Sequence, residues 1–146
     1  MIEFPPSVVL VVTDGVELVC VSQRRPGAGG TVLELPAGKI EPGEAAPAAA
    51  DRELAEECGL AVAEWEVLGE FWAAPEYSTE RVTVLAGRCS GPASAPKDED
   101  EEIEVVRTAV AEALARLEDA GSLAAIAIAS SSWIWTRPTS GSPRES

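Results

Sequence analysis

The sequence predicts one domain of the α/β or α+β class built on a mixed β-sheet. Three observations carry this. The 146 residues fit a single domain and are enough to bury a sizeable core without staples. Short β-branched runs precede, bracket and follow segments with helical character, so strands and helices must share one core. Hydrophobic residues make up 46% and charged residues 25%, which excludes a disordered, collagen-like or coiled-coil chain. The expected domain is residues 1–138, with 139–146 a disordered tail.

The elements follow in order. Ser7 to Thr13 is an apolar, β-branched strand. Asp14-Gly15 then leads into Val16 to Ser22, and Asp-Gly between two such runs predicts a hairpin whose two central residues take positive φ. Gln23 to Gly30 reads as a basic, glycine-rich loop, Thr31 to Leu35 as a strand closed by Pro36, and Gly38 to Gly43 as a loop. Pro47 to Cys58 holds good helix formers, with proline near its start and Gly59 just past its end. Ala50, Leu54 and Cys58 fall four apart and face the core. Trp65 to Trp72 and Arg81 to Arg88 are strands around the loop Ala73 to Glu80, and Ser90 to Lys97 is a loop. Ile103 to Arg107 is a short strand. Ala109 to Ala120 is a helix stopped by Gly121, and Ser122 caps a last apolar helix, Leu123 to Trp135.

Charge narrows function. Twenty-five acids against 11 Lys and Arg give a net −14, a field that repels nucleic acid and anionic membrane. No run is long and apolar enough for a membrane span, and the N-terminus lacks the pattern of a signal peptide. Three scattered cysteines suggest neither a disulfide framework nor a zinc site, so a reduced, cytoplasmic setting is expected. Histidine is absent, which removes Ser-His-Asp triads and most catalytic zinc sites. Acid–base work falls to carboxylates, Lys, Tyr, Cys or metal-bound water. An anionic substrate would need cations to reconcile it with the protein's own charge.

The informative segment runs from Gly38 to Leu60. Glu53, Glu56 and Glu57 stand at i, i+3 and i+4 of the expected helix and share one face. Carboxylates so placed repel one another, and a divalent cation resolves the repulsion, with hard oxygen ligands favouring Mg²⁺, Mn²⁺ or Ca²⁺. Arg52 lies four residues before Glu56 and can brace it. The preceding glycine-rich loop lets backbone approach a metal or phosphate closely.

These residues match G-x5-E-x7-R-E-U-x-E-E-x-G-U, with U aliphatic, at every specified position from Gly38 to Leu60. The chain thus resembles the Nudix hydrolases, which cleave the pyrophosphate of nucleoside diphosphates linked to another group. The resemblance implies the Nudix fold, a mixed sheet sandwiched between helices. It implies two to three Mg²⁺ (or Mn²⁺) ions held by Glu53, Glu56, Glu57 and the Ala37 carbonyl, with Arg52 orienting a ligand glutamate. The stretch Glu34 to Glu44 is similar to the ADP-ribose pyrophosphatase version of the motif. That subgroup also has a proline sixteen residues after the last motif glycine, where Pro75 stands, and a following glutamate, matched by Glu80.

The subgroup's Gln-Tyr-Arg is approximated by Gln23-Arg24-Arg25, which implies Arg25 near the substrate phosphates, with Arg24 in place of the tyrosine. Glu44 and Pro75 join Arg25 as implied substrate-binding residues. The acidic run Asp98 to Glu102 resembles the loop that supplies the catalytic base, with Glu99 and Glu101 as candidates and Glu80 and Arg52 as further catalytic residues. The implied substrate is a small nucleotide, ADP-ribose first, giving AMP and ribose 5-phosphate. Another nucleotide sugar, another nucleoside diphosphate derivative, or a non-catalytic nucleotide-sensing module are the alternatives. No nucleic-acid or membrane partner is expected. A homodimer is, with Trp133 and Trp135 offering apolar area for it.

Overall fold

The computed structural model describes residues 1–95, 97–99 and 102–132. Glu101, Trp133, Trp135 and the expected tail 139–146 lie outside the described residues. The elements run β1 (Ser7–Thr13), β2 (Glu17–Arg25), a 3₁₀ turn (Pro26–Ala28), β3 (Gly30–Glu34), β4 (Ala37–Lys39), α1 (Ala46–Cys58), β5 (Leu60–Val62), β6 (Glu66–Trp72), β7 (Arg81–Pro92), β8 (Ile103–Ala109), α2 (Val110–Arg116) and α3 (Ala120–Ser132).

The strands form a mixed sheet. β1 is its axis and pairs in parallel with β7 along its whole length. Its other edge is divided: β4 pairs with the start of β1 and β2 with its end, both antiparallel. β2 carries β3 on one edge and β8 on the other. β5 and β6 pair with β7. All seven residues of β1 are buried, because both faces of the sheet are covered and a strand in that position needs a continuous apolar run. Val8, Leu10 and Val12 pack on Ala49, Ala50, Leu54 and Cys58 of α1, and Val9 and Val11 pack on Ala113, Ala125, Ile126 and Ala129 of α2 and α3. The helices therefore sandwich the sheet, as expected. The fully buried Leu54 anchors α1, and its truncation to alanine would cost about 2–5 kcal/mol. Among the described residues, no helix is long and apolar enough to cross a membrane.

Several sequence expectations change. Only Gly15 of the Asp14-Gly15 pair has positive φ (104°). The Asp14 carboxylate instead accepts from the N–H groups of Glu17 (2.9 Å) and Val16 (3.0 Å), which close the turn and hold its pKa below the ordinary value. β2 continues to Arg25, because β3 pairs with it as far as Arg25↔Gly30 and β8 as far as Gln23↔Ile103. β7 likewise runs on to Pro92 against β5. The helix expected from Ala109 to Ala120 breaks at Leu117, whose backbone is extended. Asp119 then caps α3 by accepting from the Ser122 N–H at 3.0 Å. Gly121 thus sits in a first turn, and the Ser122 hydroxyl accepts from the buried Leu35 N–H (2.9 Å).

Candidate active site

The split edge of β1 opens a cavity of about 660 Å³ between β4 and the end of β2. Its wall draws on both sides of the sheet. β2 supplies Gln23, Arg24 and Arg25, β4 supplies Ala37, Gly38 and Lys39, and α1 supplies Glu53 and Glu57. Phe71, Ala73, Glu80 and Val82 come from β6, β7 and the loop between them. Phe4, Glu102 and Asp119 complete its polar and aromatic rim.

Local chemistry positions the acids. α1 carries Pro47 in its first turn and is closed by Gly59, whose N–H donates to the Ala55 carbonyl at 2.9 Å. Glu57 is buried at 5% exposure, although it is a carboxylate. Glu53 lies against Gly38 so closely that any side chain at position 38 would collide with its carboxyl group. That is the close approach the glycine permits.

Arg52 organises the helix–loop junction. Its Nε and Nη2 donate to Glu44 at 3.0 and 2.9 Å, its Nη1 to Glu53 at 2.8 Å, and its Nη2 also to the Lys39 carbonyl at 2.8 Å. The guanidinium holds the Glu44 carboxyl well below its usual range, at about 2, and its own pKa is raised in turn. Glu44 thus faces Arg52 rather than the cavity lining. Glu56 is 42% exposed, lies outside that lining, and has an oxygen 3.5 Å from Arg52 Nη1. Among the described residues, no three metal-capable side chains are gathered around one point.

Arg25 donates from Nε and Nη2 to Glu34 at 2.7 and 3.0 Å. Glu80 accepts from the Ser7 hydroxyl at 2.7 Å at the cavity edge. Pro75 is exposed and does not line the cavity; its loop contributes Ala73 and Glu80. The acidic run is tied to α1 where the Asp98 N–H donates to the Glu56 carbonyl (2.8 Å). Glu99 is exposed and away from the lining, whereas Glu102 of the same run reaches it.

Two acidic residues escaped the sequence reading. Glu102 was hidden among five consecutive acids that periodicity cannot rank. Asp119 lines the cavity, and its second oxygen is buried with no hydrogen-bond partner among the described residues. The signal for Asp119 was an aspartate three residues before Ser122, the spacing of an N-cap. Burial pushes the Cys20 and Cys58 thiols up to about 11 and about 12, so neither supplies a thiolate near neutral pH.

The cavity carries opposed charges in an ordered way. Arg24, Arg25 and Lys39 suit an anion, and Glu53 and Glu57, beside the Ala37 backbone, are hard oxygen donors for a divalent cation. The NUDIX domain family matches residues 3–127 of this chain. The chain belongs to the Nudix family. The Nudix motif, residues 38–60, occupies β4, the loop after it, α1 and the first residue of β5.

Among curated relatives, an ADP-ribose pyrophosphatase of Bacillus subtilis (strain 168) is 34% identical over 112 residues, covering 75% of this chain and 60% of its own. A methanol dehydrogenase activator of Bacillus methanolicus is 32% identical over 113 residues, covering 76% and 61%. The chain therefore spans about three fifths of the length of these relatives. The solved structure of an ADP compounds hydrolase aligns with a TM-score of 0.75 at 26% identity, over 86% of this chain and 71% of that one.

Proposed function

We propose that this Nudix domain hydrolyses the pyrophosphate bond of a nucleoside diphosphate linked to another group, with ADP-ribose, giving AMP and ribose 5-phosphate, as the leading substrate. One observation carries the reading: Glu53 and Glu57 share a cavity with Arg24, Arg25 and Lys39. The similarity to an ADP-ribose pyrophosphatase and an ADP compounds hydrolase supports the substrate class.

The residues fit a divalent cation. Glu53 and Glu57, with Glu56 on the neighbouring turn and the Ala37 carbonyl, would hold Mg²⁺ or Mn²⁺, in two to three ions. The cation, when bound, neutralises the diphosphate and lowers the pKa of bound water. The chain's own groups do the rest. Arg52 fixes Glu53 and draws Glu44 and the Lys39 backbone into one rigid corner. Arg25 leaves Glu34 to receive phosphate oxygens, which its planar fork matches bidentately. Arg24 and Lys39 add two further positive charges. Glu102 takes the role of orienting and deprotonating the attacking water in preference to Glu99, because it reaches the cavity, and Glu80 holds the opposite wall through Ser7. Water's oxygen bonds to phosphorus, the anhydride P–O bond breaks, and its electron pair leaves with the second phosphate.

The test is product chromatography after incubation with Mg²⁺ and a panel of ADP-ribose, other nucleotide sugars and nucleoside triphosphates. AMP and ribose 5-phosphate in equal amounts are expected from ADP-ribose. Tight binding across the panel with no turnover would overturn the hydrolase reading in favour of a sensing module.

A further inference from the structure

The segment before β1 is stiff and runs along the rim of the cavity. Phe4-Pro5-Pro6 fixes φ at two prolines and holds the residue before each of them extended. Residues 2–4 lie along residues 77–79 of the loop between β6 and β7. The Ile2 N–H donates to the Tyr77 carbonyl (2.6 Å), and the Thr79 N–H to the Ile2 carbonyl (3.0 Å). Thr79 also takes both backbone groups of Phe4. Its hydroxyl oxygen accepts from the Phe4 N–H (2.8 Å), and its O–H donates to the Phe4 carbonyl (3.2 Å). On the other side, Ser7 is the register partner of Lys39, and the Ile40 N–H donates to the Pro6 carbonyl at 2.8 Å. Among residues 1–6, Phe4 alone is half-buried rather than exposed, and it lines the cavity. The Lys39 ammonium stands over its ring, 5.0 Å from the centroid. The Lys39 carbonyl accepts from Arg52 Nη2 at 2.8 Å. Both ends of Lys39 are thus held, the backbone by a guanidinium and the ammonium by an aromatic face.

We propose that Phe4 is a positioning residue for substrate capture, holding the Lys39 ammonium at the cavity rim for the substrate's diphosphate. This deepens the hydrolase reading above and rests on it. A neutral partner leaves a cation more available than an acidic one does. Arg25 must give up Glu34 before a phosphate can take its fork. A ring face attracts the Lys39 ammonium through its quadrupole and sets no anion between it and the substrate. A carboxylate at position 4 would also hold the ammonium. It would cancel the charge, however, and repel the diphosphate in a chain already at −14. An aliphatic residue there would leave the four-carbon lysine stem free, and substrate binding would then have to order it. The ring therefore orders Lys39 in advance without competing for the anion that Lys39 receives.

Two readouts separate positioning from packing, and neither depends on turnover. In the unliganded full chain the Lys39 Cε protons lie by the ring, so their nuclear magnetic resonance signals should be shifted upfield. They should return to ordinary lysine positions in Phe4→Leu and stay shifted in Phe4→Trp. ADP, titrated by calorimetry with Mg²⁺ present, should bind about 2–5-fold more weakly to Phe4→Leu, the range of one exposed cation–π contact. Phe4→Trp should bind it at least as tightly as the wild type. In a Lys39→Met background the same Phe4→Leu change should leave ADP binding unchanged. Circular dichroism checks folding, and the anchors of Phe4 to Thr79 are backbone groups that every variant keeps. Unshifted wild-type signals, full-strength ADP binding by Phe4→Leu, or a loss that persists beside Lys39→Met would each overturn the proposal, the last by showing packing or base stacking instead. Hydrolysis of ADP-ribose by a chain whose positions 4 and 39 are uncoupled would remove this role alone. Coupled positions in a chain that binds ADP without hydrolysing ADP-ribose would keep the role and sink the hydrolase reading.

Discussion

Arg52 and Arg25 flank the same cavity under different constraints. Arg52 is 24% exposed and donates at 2.8–3.0 Å to Glu44, Glu53 and the Lys39 carbonyl. Arg25 is 49% exposed and has one carboxylate, Glu34. A guanidinium fixed by three partners at once is part of the scaffold. A half-exposed guanidinium with a single partner, here the buried Glu34 carboxylate, can be drawn onto a phosphate, which its planar fork matches in the same way. The helix–loop corner around Arg52 is thus preorganised, and the end of β2 around Arg25 is the adaptable side. Under the proposed function, the first region positions charge and the second captures substrate.

The largest expected effect lies in the rigid corner. Glu57→Gln keeps shape and removes charge, and Mg²⁺-dependent hydrolysis of ADP-ribose should fall by at least ~10²–10³-fold in kcat. A near-normal rate would break the comparison at once. Arg52→Ala should come next, with about 10–100-fold weaker apparent Mg²⁺ affinity, because Glu53 loses the group that orients it. Arg52→Lys should rescue little, since an ammonium cannot hold Glu44 in two parallel hydrogen bonds while also reaching Glu53. Arg25→Ala should raise KM about tenfold and lower the midpoint of urea denaturation less than Arg52→Ala does, because position 25 loses one partner and position 52 loses three. Comparable loss of stability at both positions would erase the distinction.

The smallest effect is on pH dependence. Arg52 depresses the Glu44 pKa from 4.5 to about 2, so the folded state binds this proton less readily than the unfolded chain. The resulting stability is fully present above pH 4.5 and is lost as pH falls from 4.5 toward 2. Glu44→Gln should flatten that part of the acid limb in denaturation curves taken between these values. An unchanged slope would show that the pair contributes nothing there.

The parts of the fold legible in the sequence are those where local and tertiary preferences agree. β1 is found from Ser7 to Thr13 as expected, because both faces of that strand demand the same apolar run. α1 begins one residue before the expected Pro47 and ends at Cys58, because proline and Gly59 mark its limits. β4 and β5 escaped because three-residue strands carry no period; partners from distant sequence define them. The break at Leu117 escaped because Ala109 to Ala120 is a good helix throughout, and only the cap at Asp119 decides otherwise.

The site divides similarly. Glu53 and Glu57 on the cavity wall follow from helical spacing, whereas Glu56, on the same expected face, lies beside Arg52 and outside the lining. Glu44 also faces Arg52, a distinction set by loop geometry rather than spacing. Glu102 over Glu99 follows from where β8 begins against Gln23, a register that no local pattern encodes.

Mn²⁺ titration followed by electron paramagnetic resonance tests the central claim most directly, because it asks whether the α1 carboxylates hold a cation without requiring any substrate. The wild-type chain should remove the free six-line Mn²⁺ signal, and a Glu53→Gln/Glu57→Gln protein should bind at least about tenfold more weakly. Equal Mn²⁺ binding by the two proteins, or none by the wild type, would contradict the account.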